Sequence, residues 1–218
     1  MRANPAENEQ KLFLIADGQG GYFTAKQARS AGYYNRLRYY HAEKGHWLAV
    51  DRGVYRLRNY PASEREDLIR WSLWSCDRNG NPQAVFSHHT ALAFHQLGDI
   101  MPAKIHFTVP PKFRKKISGG CVVHRAALPP EDIERHEGFF VTTPFRTLFD
   151  AHIHGFEPDQ LQKAVVDAYK KGFIPDFKIN NPKTAEDPGG VAGGMGDFMA
   201  YVAQIISGYR NSLAHGRP

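Results

Sequence analysis

Eleven histidines in 218 residues raise metal chemistry first. Imidazole nitrogens hold zinc-class ions when three or four converge, and motifs such as HExxH or CxxC bring ligands together at fixed spacing. Neither motif occurs. His88 and His89 are adjacent, and neighbours on a regular strand or helix point apart. His88 and His95 stand two helical turns apart. His106 and His124 fall on separate predicted strands, and His152 and His154 lie two apart at a helix end. The spacing predicts core or surface imidazoles, with no metal and no cofactor. A nuclease would need carboxylates converging on a divalent ion. Asp150, Asp159 and Asp167 are the candidates, but no Asp…Glu-x-Lys pattern on a strand accompanies them. The SGG stretch (118–120) lacks the lysine of a phosphate loop. Arg146, in TPFRT (143–147), suits a bound anion or a buried ion pair, and the ion pair is the better account. Cys76 and Cys121 are too few for a disulfide framework and read as buried thiols. No catalytic set emerges, so the chain is expected not to be an enzyme.

Charge is more informative. Residues 26–58 carry eight basic side chains (Lys26, Arg29, Arg36, Arg38, Lys44, Arg52, Arg56, Arg58) against Glu43 and Asp51, a local excess equal to the whole chain's +6. The rest of the chain is balanced. A localised excess of this kind is the footprint of a face that binds a polyanion.

The elements that must position these charges can be read along the chain. Residues 6–17 predict a helix, ended by Gly18, Gly20 and Gly21. Thr24 and Gln27 have capping-box spacing for a second helix, and Gly32 supplies the turn after it. A third helix runs over 33–44, with Tyr33, Leu37, Tyr40 and His41 on one side and Asn35, Arg38, Tyr39 and Ala42 on the other. WLAV, a DRG turn and VYRLR make a hairpin whose second strand alternates Tyr55 and Leu57 with Arg56 and Arg58. Two short helices, a glycine turn and a basic hairpin outline a winged helix-turn-helix. In such a module the third helix reads base edges while its partner helix and wing hold phosphates. The expected DNA-binding set is Thr24, Lys26, Asn35, Arg36, Arg38, Tyr39, Ala42, Lys44, Arg52, Arg56 and Arg58. Asn35 suits adenine, Arg38 suits a guanine edge, and Lys26 with the Thr24 cap suits phosphate at a helix N-terminus. The loop PKFRKK, with Lys112, Arg114, Lys115 and Lys116, is either a second nucleic-acid contact or a solvated hairpin.

Tyr60 and Pro61 mark a boundary, and Ser63 with Glu66 opens a helix to about Cys76. Strands and helices then mix: AVFS, HHTALAFHQLG, KIHFTVP, CVVHRA, GFFVTT, PFRTLFDAHIH and EPDQLQKAVVDAYKKG. Residues 175–196 are rich in Gly, Pro and Asn and read as a linker, after which 197–209 recovers an apolar helical pattern. The expected fold is α+β. Its domains are a winged helix-turn-helix over 1–60, a mixed α/β part over 61–175, and a linker with a C-terminal helix over 176–218.

Three stretches, the wing RGVYRL, FSHHTALAFHQLGD followed by KIHFTVPP, and VTTPFRTLFDA, resemble in order and spacing the AbiEi-type antitoxins of type IV toxin–antitoxin systems, over residues 10–155. The resemblance implies an N-terminal part that binds double-stranded promoter repeats and represses its own transcription. It implies a second, antitoxin-type domain that counteracts a nucleotidyltransferase toxin without a stable complex. The DNA face would be 24–44 and the 47–58 hairpin. A dimer on DNA is one arrangement; the sequence leaves the oligomeric state open. With no long apolar run and no signal peptide, a cytoplasmic protein without membrane contact is expected. The alternatives are a nuclease-like second domain and a winged-helix protein-interaction module with 197–209 as its docking element.

Overall fold

Asn4 accepts the Ala6 N–H and Pro5 stands in the first turn, so helix α1 (Pro5–Asp17) begins with its own cap. The computed structural model describes residues 4–117, 119–174 and 194–214. After α1 comes a strand that no periodicity announces, β1 (Tyr22–Thr24). Thr24 and Gln27 then form the expected capping box of α2 (Ala25–Ser30). Gly32 turns the chain at φ +95°, where an added Cβ would meet the Asn8 side chain at 2.4 Å. Helix α3 (Asn35–Glu43) follows, then β2 (Trp47–Asp51) and β3 (Val54–Leu57), joined by Arg52 and Gly53. The three strands form an antiparallel sheet in the order β1-β3-β2, with Tyr22 opposite Arg56 and Trp47 opposite Leu57.

The described chain is mixed α+β with two sheets and a C-terminal helix, divided into two compact units. The first comprises residues 1–84 and 135–140, so it extends past the boundary expected at Tyr60. The reason is α4 (Glu66–Ser75), which packs on β1, β2 and β3. The first unit's core is aromatic. Phe23 meets Trp47 edge-on at 4.9 Å, Tyr33 meets Trp47 at 5.0 Å, and Leu12, Ala16, Ala28 and Ala31 close around them.

The second unit holds most of a five-stranded sheet in the order β6-β5-β4-β8-β7. Its strands are β4 (Val85–Phe86), β5 (Ile105–Val109), β6 (Cys121–Arg125), β7 (Ile133–His136) and β8 (Phe139–Thr142). β7 is the strand that sequence patterning does not announce. β5 and β6 are parallel, although the described residues between them contain no crossover helix. Helices α5 (His88–Phe94), α6 (Pro144–Ile153), α7 (Pro158–Lys170) and α8 (Gly194–Ala214) complete the unit. The expected linker falls largely on 175–193, outside the described residues. The expected 197–209 helix extends over 194–214, and its apolar side is taken by its own chain. Met195, Phe198, Met199, Val202 and Ile206 are buried with Phe149, Leu161, Val165 and Ile174. Neither cysteine is in a disulfide; Cys76 is buried and Cys121 half-buried. No helix among the described residues is long and apolar enough to cross a membrane.

Phe198 is fully buried against Phe145 and Phe149. Phe198→Ala should therefore cost the second unit about 3–5 kcal/mol. Hydrogen exchange is expected to show faster exchange in α6 and α7 and unchanged protection in α1–α4.

Candidate nucleic-acid interface

The basic segment is built on α3 and the β2–β3 hairpin, and the structure sorts its charges into two groups. The first group is spent internally. Arg56, expected on a wet strand face, is only 9% exposed. Val54 and Arg56 share the buried face of β3 while Tyr55 and Leu57 are half-buried on the other. The Arg56 guanidinium donates to Glu66 Oε1 at 2.7 Å and to the carbonyls of Tyr60 and Pro61 at 2.8 and 3.0 Å. Glu66 also accepts the Tyr22 hydroxyl at 3.1 Å and the Ser63 N–H at 3.2 Å. Burial opposes ionisation of Glu66, but these donors outweigh it and hold its carboxyl below the ordinary range. Burial first, and the Glu66 contact second, push the Tyr22 hydroxyl up to about 12.

Lys26 is likewise engaged. Its ammonium donates to the carbonyls of Arg78 and Asn79 in the turn after α4. Thr24 accepts the Gln27 N–H at 3.1 Å, Gln27 returns the bond to Thr24 N–H at 2.8 Å, and Ala25 N–H reaches Gly53 O. The N-terminus of α2 thus has internal partners at Thr24 and Ala25, while Lys26 itself stays exposed. Arg58 donates to Gly45 O and thereby closes the end of α3.

The second group is exposed. Asn35, Arg36 and Tyr39 on α3, Lys44 at its end and Arg52 at the hairpin tip all face solvent, as does Arg29 on α2. The rotation of α3 differs from the expected one. Arg38 and Ala42 are half-buried, while Leu37 and Tyr40, expected inside, are 46% and 49% exposed. His41 explains the rotation: it stacks on Trp47 at 4.8 Å with planes 14° apart and lies edge-on to Tyr33 at 5.2 Å. The inward side of α3 is thus Arg38, His41 and Ala42. Arg38 lies 6.0 Å over the Tyr55 ring and 5.6 Å from Tyr39, with its Nε buried and unbonded. No side chain of α3 is fully buried. Phe13, Tyr34 and Leu37 border a groove of about 810 Å³ that continues to Trp47 and Arg58.

In the second unit Lys112, Arg114, Lys115 and Lys116 are exposed around the buried anchor Phe113, whose carbonyl accepts from Arg125 at 2.8 Å. The three nuclease-candidate carboxylates have separate surroundings. Asp150 is buried against Arg146, Asp167 accepts the Gly98 N–H at 3.0 Å, and Asp159 is exposed in the first turn of α7. They form no metal-sized cluster among the described residues. Arg146 makes the expected buried ion pair, and does so twice, to Asp150 and Asp132 at 2.8 Å each.

Comparison with known proteins reaches the fold. No family model matches the chain, and no curated protein matches it. Among solved structures it is similar to the RV2827C protein from Mycobacterium tuberculosis, at 13% identity and a TM-score of 0.53. That likeness covers 94% of this chain and 78% of the other. At this identity it is a likeness of fold.

The division of charges is directly testable. Arg56→Ala should cost about 2 kcal/mol in urea unfolding, because it strands Glu66 and two carbonyls at a partly solvated pin. Arg52→Ala should leave the unfolding midpoint within about 0.5 kcal/mol of the parent.

Proposed function

We propose that the first unit is a winged-helix module that binds double-stranded DNA. In this reading α3 is the recognition helix and the β2–β3 hairpin is the wing. The observation that carries it is the state of α3: no residue fully buried, and Asn35, Arg36 and Tyr39 presented together with a basic hairpin tip at Arg52. A helix that buries so little of itself, yet carries two exposed tyrosines with a third just before it, has surface to give to a ligand. Asn35 can pair with an adenine edge, and Tyr39 offers a flat face to sugar or base. Arg36, Lys44 and Arg52 neutralise phosphates, whereas Lys26, Arg56 and Arg58 hold the module together. Arg38, braced on Tyr55, has less reach than its place in the sequence implies.

The three stretches that resemble AbiEi-type antitoxins extend the proposal. The chain would act as a regulator of its own promoter, with a second unit that counteracts a nucleotidyltransferase toxin. The buried Arg146 pairs and the apolar side of α8 hold that second unit together.

Fluorescence anisotropy with a duplex from the region upstream of its own gene tests the reading. Binding should be tight and salt-sensitive, and Arg36→Ala and Arg52→Ala should each reduce the slope of log K against log salt by about one. Asn35→Ala should weaken the preference for the upstream duplex over a scrambled one. Equal affinity of the parent protein for both duplexes would sink the regulator reading.

A further inference from the structure

Five histidines that sequence spacing kept apart meet in the second unit. His88 and His89 open α5, His106 lies on β5, His124 lies on β6, and His154 follows the last turn of α6. The parallel register explains the meeting. Thr108 pairs with His124, so His106, two residues before Thr108, stands on the same face as His124. His106 Nδ1 is 3.3 Å from His124 Nε2, and His88 Nε2 is 3.3 Å from His154 Nδ1. The His88 and His124 rings stack at 3.5 Å. One ring nitrogen from each of His88, His124 and His154 lies within 4.8 Å of the others.

We propose that His88, His124 and His154 bind one divalent transition-metal ion of the zinc class, which ties β6, the start of α5 and the end of α6 together. Tetrahedral zinc with Zn–N bonds of 2.0–2.1 Å places its ligand nitrogens about 3.3 Å apart. One nitrogen from each ring already lies within 4.8 Å of the others, and the separations close to that value when the imidazoles turn about their side-chain torsions. The outer contacts of a metal-binding histidine are also present. His88 Nδ1 is 2.9 Å from Ser87 Oγ, which is 2.8 Å from Thr108 Oγ1. His154 Nδ1 is 2.8 Å from the Asp150 carbonyl, an acceptor, so the proton belongs on that nitrogen. Both rings are thereby left with Nε2 for a ligand.

Two further observations point the same way. His88 adopts φ +51°, a left-handed conformation that side chains other than glycine seldom take, and it is 4% exposed. His89 Nδ1 is buried without a hydrogen-bond partner. An all-imidazole set favours zinc, copper or nickel over magnesium or calcium, which take oxygen. The proposal is independent of the DNA reading, which concerns the other unit.

The test uses the full chain without a histidine tag, stripped by chelator and titrated with Co²⁺. Visible d–d absorption saturating at one equivalent and abolished by Zn²⁺ is expected. Zn²⁺ should also raise the melting temperature. His124→Ala and His154→Ala should each weaken Zn²⁺ affinity at least tenfold in a chelator competition. His46→Ala, which alters the separate His41–His46 contact, should leave it unchanged. His154 is exposed, so its variant keeps the fold, and circular dichroism checks this. No stoichiometric cobalt spectrum on the parent protein overturns the proposal, as does uptake that survives both variants. Either result leaves a hydrogen-bonded imidazole network only.

Discussion

The first unit depends on one buried guanidinium. Arg56 joins β3 to Glu66 at the start of α4 and to the backbone of the chain between them. A charge placed there is tolerated because three oxygens lie within ordinary hydrogen-bond distance of one guanidinium nitrogen. Through Glu66 the same pin reaches Tyr22 on β1, so two strands and a helix share one electrostatic knot. The aromatic cluster on the opposite face of the sheet then sets where α3 lies. Stacking of His41 on Trp47 fixes its rotation, and with it which side chains reach solvent.

The second unit repeats the device with different parts. Arg146 bridges Asp132 and Asp150 from inside α6, with all three side chains almost fully enclosed. Thr142 and Thr147 bond each other at 2.7 Å, so the junction of β8 and α6 is polar and buried. In both units the arginines with the most partners build the scaffold.

Much of this was legible in the sequence, wherever the signal is local. The cap at Thr24 and Gln27, the Gly32 turn, the Arg52–Gly53 hairpin and the Pro144 helix start all depend on a few neighbouring residues, and all are present. The Arg146 ion pair was also readable, because its i,i+4 partner Asp150 lies on the same helix. What failed was non-local. Arg56 alternates with apolar residues and so reads as solvent-facing; only α4, arriving ten residues later, makes that face an interior. The rotation of α3 was misread because tyrosines dominate both sides and give no clean apolar stripe. β1 is three residues long, too short to show a period. The histidine cluster rests on a parallel strand register and on a helix end thirty residues beyond the second strand, neither of which spacing encodes.

The place of α8 has a consequence for how the chain is made. The first unit has nearly all its parts once synthesis passes Ala84, whereas the second lacks a wall of its core until α8 emerges, about 110 residues later. At typical elongation rates that gap lasts roughly 5–20 s. In the later part of it Phe149, Leu161 and Val165 have been made but are not yet covered by α8. A ribosome that stalls or a message that is cut in this interval releases a folded first unit attached to sticky, protease-sensitive chain. A packed second unit therefore requires that synthesis reach α8.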